Sequence, residues 1–197
     1  MRIIILGGFL GSGKTSVLMD IARHFVGEDP DAAGKVVIIE NEIGEVGVDD
    51  KLLSTSGLKV QNMFAGCICC SLAGDIVTSI RQIKDQFSPE LIIIESSGVG
   101  YPFNIKENIS YSLGLDSRIV NVVDASRWKR LFIPMHMMFT DQLRDTEVLL
   151  INKTDLADRD TIVTVHEQVR EFCEPKMIYG VSAVNGIDPE ILDEILA

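Results

Sequence analysis

The chain has 197 residues, the size of one ordinary domain that buries a hydrophobic core without disulfides or a structural metal. Lys and Arg number 18 against 29 Asp and Glu, and the resulting net charge of −11 excludes broad contact with nucleic acid or an anionic membrane. Its apolar runs fall far short of the ~20 residues of a membrane-spanning helix. The N-terminus enters a strand pattern with no signal-peptide stretch, so a reducing, cytoplasmic setting is expected, in which clustered cysteines mean metal or redox chemistry more often than disulfides.

In chain order, the run Ile3-Ile4-Ile5-Leu6 predicts a strand over 2–6, followed by a helix over 14–25. Between them Gly8-Phe9-Leu10-Gly11-Ser12-Gly13-Lys14-Thr15 matches GxxxxGK(S/T) in the strand–loop–helix setting that the motif requires. Glycines turn the N–H groups inward as an anion nest and the helix start adds a positive dipole end. Lys14 is placed to reach the β- and γ-phosphates and Thr15 to ligate Mg²⁺, and Ser16, which opens the helical run, is a further nucleotide-binding candidate. The competing reading is a Gly-rich turn with an incidental Lys.

A second strand, over 35–40, runs into Glu40-Asn41-Glu42-Ile43-Gly44-Glu45, where alternation puts residues 40 and 42 on one face. These carboxylates either ligate Mg²⁺ or a second metal, or solvate a loop. After a strand over 58–63 comes Cys67-Ile68-Cys69-Cys70, ahead of a helix over 72–87. Thiolates are soft ligands suited to Zn²⁺, Co²⁺ or Ni²⁺, and this spacing in a turn aims two or three sulfurs at one ion. A redox cluster and small buried hydrophobes are the alternatives.

The strand over 91–95 closes in Glu95-Ser96-Ser97-Gly98, where phosphate-loop proteins carry an acid that orients Mg²⁺ or its water, and a glycine whose N–H meets the γ-phosphate. Most use Asp, and a strand-capping acid is the plainer reading of Glu95. A helix over 105–113 and a strand over 118–123 follow, with Asp124 read as the cap of a helix over 125–132. The methionines and His136 of Pro134-Met135-His136-Met137-Met138-Phe139 read as packing or a partner surface ahead of soft-metal ligands.

The strand over 147–152 delivers Asn152-Lys153-Thr154-Asp155, which matches the NKxD pattern that reads guanine, an ordinary polar turn being the competing reading of those four residues alone. Asp155 accepts from the ring N1–H and 2-amino group, donors that adenine does not offer together. Asn152 supports the loop, and the Lys153 stem lies over the ring. A helix over 158–172 carries His166 on a solvated face, and Cys173 reads as an inert buried or half-buried thiol. After a strand over 176–179, Ser182-Ala183 either backs the guanine or makes a simple turn before a helix over 188–196. Strand and helix patterns thus alternate as βαβ units, predicting an α/β, three-layer P-loop NTPase fold with a mainly parallel central sheet and ligands at the carboxyl ends of its strands. Residues 1–197 read as a single P-loop domain.

With GGFLGSGKT, IENEIGEVGVDD, GCICC, ESSG and NKTD in this order, the sequence resembles the CobW/UreG/HypB family of GTPase metallochaperones, most closely its CobW-like branch. The resemblance spans essentially the whole chain, and CxCC between a P-loop and ExxG is specific to that branch. It implies GTP hydrolysis to GDP, Mg²⁺ dependence, a homodimer, and delivery or insertion of a transition metal (Zn, Co, Ni or Fe) to a client metalloprotein or cofactor enzyme. Carried over by position, Lys14 and Thr15 hold phosphate and Mg²⁺, and Glu95 and Gly98 sense the γ-phosphate. Asn152, Lys153 and Asp155 read guanine, while Cys67, Cys69 and Cys70 with Glu40, Glu42 and Glu45 are metal candidates. Typical members continue into a C-terminal domain and often a His-rich stretch; the expectation here is the GTPase domain without either, with only His24, His136 and His166.

The function expected is a GTP-hydrolysing metallochaperone or metal-insertion switch, with catalysis by Lys14, Thr15 and Glu95 and water activation by a carboxylate such as Glu42 or Glu45. No arginine finger is assignable, so slow intrinsic turnover is expected. Two alternatives stay open: a GTPase that activates a corrinoid-type enzyme without carrying metal, and a nucleotide-gated metal-binding module with negligible hydrolysis.

Overall fold

The computed structural model describes residues 1–27, 35–40, 59–60, 73–171 and 173–197. Its strands are β1 (Arg2–Gly7), β2 (Val36–Glu40), β3 (Lys59–Val60), β4 (Leu91–Glu95), β5 (Arg118–Asp124), β6 (Val148–Asn152) and β7 (Met177–Gly180). They form one sheet in the order β3-β2-β4-β1-β5-β6-β7, and every pairing is parallel. All carboxyl ends therefore meet on one rim, with β1 at the centre.

Strands buried on both faces read as unbroken apolar runs, and the core shows why. Ile4, Leu6, Val36, Ile38, Leu91, Ile93, Val120, Val122, Val148 and Leu150 share one cluster with Val17, Leu18, Ile21 and Ala22 of α1 (Lys14–Val26). Ile3, Ile5, Val37, Ile39, Ile92, Ile94 and Ile119 face the opposite way, onto α2 (Ala73–Phe87) and α3 (Pro102–Leu113) through Ile80, Ile83 and Ile109. A third cluster joins Val123, Leu149 and Ile151 to α4 (Trp128–Leu131), α5 (His136–Gln142) and α6 (Arg159–Arg170). The last helix, α7 (Pro189–Leu196), returns Leu192, Ile195 and Leu196 to the α1 side. Two helical layers thus enclose the sheet, the three-layer fold expected.

Local chemistry explains where elements start and stop. Helix α1 ends at Gly27, whose left-handed φ of 56° lets its N–H reach the Arg23 carbonyl, and Arg23 and His24 in the last turn face the negative dipole end. Helix α3 starts at Pro102, earlier than the expected residue 105, because proline's fixed φ suits the first helical turn. The helix expected over 125–132 is a 3₁₀ turn (Ala125–Arg127) followed by α4, and α5 was not expected at all. Its N-cap is Met135 with no side-chain cap, so the usual polar start signal is missing. No helix among the described residues is long and apolar enough to cross a membrane.

Candidate nucleotide site

The phosphate loop leaves β1 at Gly7 and enters α1 at Lys14. Gly13 is the N-cap of α1 with φ 97°, and a Cβ there would lie 2.3 Å from Asn152 Nδ2, so only glycine fits. No side chain caps this helix start, which leaves its first N–H groups to an anion. The Ser12 hydroxyl is buried without a hydrogen-bond partner among the described residues, an orphan that a phosphate oxygen would satisfy.

Lys14 is 6% exposed, and its ammonium turns back over the loop to donate to the carbonyls of Gly8 at 3.0 Å and Phe9 at 3.4 Å. It lies 4.0 Å from Glu95 Oε1. Glu95, 8% exposed at the end of β4, has both carboxylate oxygens 3.3 Å from the Thr15 hydroxyl. A hydroxyl beside a carboxylate is the hard-oxygen donor set that Mg²⁺ prefers. Glu40 ends β2 as the direct register partner of Glu95, on the same rim. Glu42, Glu45, Cys67, Cys69 and Cys70 lie outside the described residues.

On the other side of the loop, Asn152 at the end of β6 is fully engaged. Its Nδ2 donates to the Ser12 carbonyl at 2.9 Å, and its Oδ1 accepts from the Ala183 N–H at 3.0 Å. One buried amide thereby ties the phosphate loop to the loop after β7. Asp155 Oδ1 accepts from the Ser182 hydroxyl at 2.6 Å, and Asn185 Nδ2 donates to that hydroxyl at 2.9 Å. Thr154 anchors the same segment through its N–H and hydroxyl to the Val181 carbonyl, at 3.2 and 3.0 Å. The structure thus gathers Gly8 to Ser16, Glu95, Gly98, Asn152, Lys153, Asp155, Ser182 and Ala183 on one rim.

Lys153 takes a left-handed φ of 63°, uncommon for a side chain of its size. Its ammonium donates to the Gly11 carbonyl at 2.6 Å and to Asp124 Oδ2 at 2.8 Å. Asp124 does cap the turn after β5 through the Ser126 N–H, as expected, but that is the lesser part of what it does. It also accepts from Arg127 Nε at 2.7 Å, and the Arg127 guanidinium donates onward to the Leu10 carbonyl at 2.7 Å. Burial alone would push the Asp124 carboxyl up. Bonds from Lys153, Ser126 and Arg127 outweigh it and hold the group below the ordinary carboxylate range.

Arg127 and Gln142 are contacts on this rim that sequence reasoning missed; their partners lie 117 and 44 residues away, and no local motif marks them. His166 is half-buried in α6, less solvated than expected. Cys173 is buried, and burial raises its thiol above the ordinary value. The Met segment packs inward through Phe139, while Met137 stays exposed.

The family model described as CobW/HypB/UreG, nucleotide-binding domain, matches residues 2–179. The chain belongs to this family. It is similar to the zinc chaperone YeiR of Escherichia coli, 30% identical over 158 residues, covering 78% of this chain and 47% of that protein. It is also similar to the zinc-regulated GTPase metalloprotein activator 1 of Dictyostelium discoideum, 26% identical over 214 residues, covering 87% of this chain and 44% of that protein. The chain therefore spans about half the length of these relatives. Among solved structures, the Zn(II)-bound YjiA GTPase from E. coli superimposes with a TM-score of 0.66 at 23% identity, over 98% of this chain and 60% of that one, a likeness of fold.

Proposed function

We propose that this chain is the GTP-binding and GTP-hydrolysing unit of a metallochaperone or metal-insertion switch that loads a transition metal, with zinc first, into a client metalloprotein. The observation that supports the reading is Asn152, whose two amide atoms join the phosphate loop at Ser12 to the loop after β7 at Ala183. In this reading the bond pair links a phosphate grip to a guanine reader in one site. The names of the relatives, zinc chaperones and a zinc-regulated metalloprotein activator, support the metal side.

In this reading GTP loses its terminal phosphoryl group to water, giving GDP and inorganic phosphate. The α1 N-terminus and Lys14 gather the phosphate charge, and Asp155, oriented by Ser182, accepts from the guanine edge. Thr15 and Glu95 would hold Mg²⁺, which when bound supplies charge neutralisation at the phosphates. Glu40, Glu42 and Glu45 are further candidates for that ion or for the water, and the thiolates of Cys67, Cys69 and Cys70 would hold the cargo metal. The described residues act as one nucleotide-binding domain, and GTP, a client protein and a second copy of the chain are its partners.

The test joins both halves. Affinities for GTP and ATP are compared first, and a chain that does not prefer GTP removes the guanine assignment. GTP turnover is then compared with Lys14→Ala, which is expected to lose it. Zn²⁺, Co²⁺ and Ni²⁺ are titrated with and without GTP into the natural chain and its Cys67→Ala, Cys69→Ala and Cys70→Ala forms. Unchanged metal uptake in all three removes metal carriage.

A further inference from the structure

One buried side chain that no motif marks holds the segment after β4. Gln142, 2% exposed at the end of α5, donates from Nε2 to the carbonyls of Gly98 at 3.3 Å and Gly100 at 3.2 Å. The turn they belong to is closed by the Gly100 N–H on the Ser97 carbonyl at 2.9 Å. Gly98 also presses on the phosphate loop, since a Cβ there would come within 2.7 Å of the Leu10 amide nitrogen. A single amide thus grips, by two carbonyls, the turn that faces the phosphate loop.

Gln142 is itself seated from the sheet. Asn121, fully buried in β5, donates Nδ2 to the Gln142 main-chain carbonyl at 3.2 Å and to the Thr146 hydroxyl at 2.7 Å. The same helix reaches the phosphate loop by a second route. Phe139 packs on Phe9 with ring centroids 4.2 Å apart, and on Trp128 at 4.8 Å. Helix α5 therefore touches both the phosphate loop and the Ser97–Gly100 turn, and is fixed to the central strands beneath them. Gln142 Oε1 is buried with no partner among the described residues, and both Nε2 bonds are at the long end of the hydrogen-bond range.

We infer that Gln142 is a positioning residue for the terminal phosphate: by holding the Gly98 and Gly100 carbonyls it fixes where the Gly98 N–H sits, and so sets the preference for nucleoside triphosphate over diphosphate. The inference rests on the guanine-nucleotide reading above and adds the residue that makes the site sensitive to the third phosphate. Gln142 touches no reacting atom in this account and acts through the turn.

The test uses the full chain and two variants of matched length. Gln142→Met removes the donor, and Gln142→Glu places carboxylate oxygens against the two carbonyls. Affinities for GDP and for a non-hydrolysable GTP analogue are read from the emission of Trp128, the chain's single tryptophan. The expected result is a loss of roughly tenfold in the triphosphate-over-diphosphate preference for Met, two ordinary hydrogen bonds' worth at most, and more for Glu, with GDP affinity kept within about twofold. Equal weakening of both nucleotides, or variants that behave like the natural chain, overturns the role. Should neither variant fold, the Gln142 side-chain amide resonances of the natural chain decide: a shift between the GDP and analogue complexes supports the inference, and unchanged resonances overturn it. A natural chain that binds no guanine nucleotide sinks the underlying reading and this inference with it, whereas normal binding with unaffected variants removes Gln142 alone.

Discussion

Asp124 and Glu147 stand at opposite ends of neighbouring strands, one closing β5 and the other just ahead of β6. Each is a largely buried carboxylate held by more than one cation. Asp124 accepts from Arg127 and Lys153; Glu147 accepts from Lys106 at 3.1 Å and Lys176 at 3.0 Å, with Arg118 3.9 Å away. In both, burial pushes the carboxyl up and the bonds pull it below its ordinary range. What differs is the next contact. The cations of Asp124 go on to the Leu10 and Gly11 carbonyls of the phosphate loop. Those of Glu147 go on to Asp145 and, through Arg118, to the Glu194 and Ile195 carbonyls of α7. A perturbed carboxylate therefore does not mark a site by itself; the partners of its partners do.

That contrast can be broken at several points. The largest effect is expected for Asp124→Ala, which leaves two cations unbalanced and the phosphate loop untied: about a hundredfold loss of GTP affinity, or ~2–3 kcal/mol, by calorimetric titration. Loss of stability with unchanged nucleotide affinity would erase the distinction drawn here. Glu147→Ala is expected to do the reverse, lowering the thermal midpoint by a few degrees, for a cost of ~1–2 kcal/mol, while GTP affinity stays unchanged.

Acid sharpens the same comparison. Both folded carboxyls lie below their unfolded values, roughly 3.9 for Asp and 4.3 for Glu. Their stabilisation is therefore complete above about pH 5 and is lost as pH falls through the folded values. Asp124→Asn with Glu147→Gln should flatten the acid limb of the stability curve, read by denaturant unfolding at successive pH values. The smallest effect is expected for Lys176→Ala. Its side chain is 73% exposed, so the loss should stay within about 0.5 kcal/mol and vanish at high salt.

How much of this was legible in the sequence depended on distance along the chain. The phosphate loop is eight consecutive residues and NKxD is four, so each carries its chemistry in one local string. Both-face burial wrote itself into runs such as Ile3 to Leu6 and Leu91 to Ile94, which predicted the parallel sheet. Asp124 showed only its local bond to Ser126; its bonds to Lys153, and through Arg127 to Leu10, depend on β1, β5 and β6 lying close together on one rim. Gln142 was silent for the same reason, and α5 was hidden by a start that lacks a polar cap.

The sheet order carries a last consequence. Among the described residues, β1 has hydrogen-bonded neighbours on both sides, whereas β7 is an outer strand joined to β6 alone, and Ser182 and Ala183 hang from its end. Outer strands open to solvent more cheaply than central ones. If the proposed guanine reading holds, spent nucleotide should accordingly peel away purine first, while the middle of the sheet keeps the phosphate loop in shape for the next occupant.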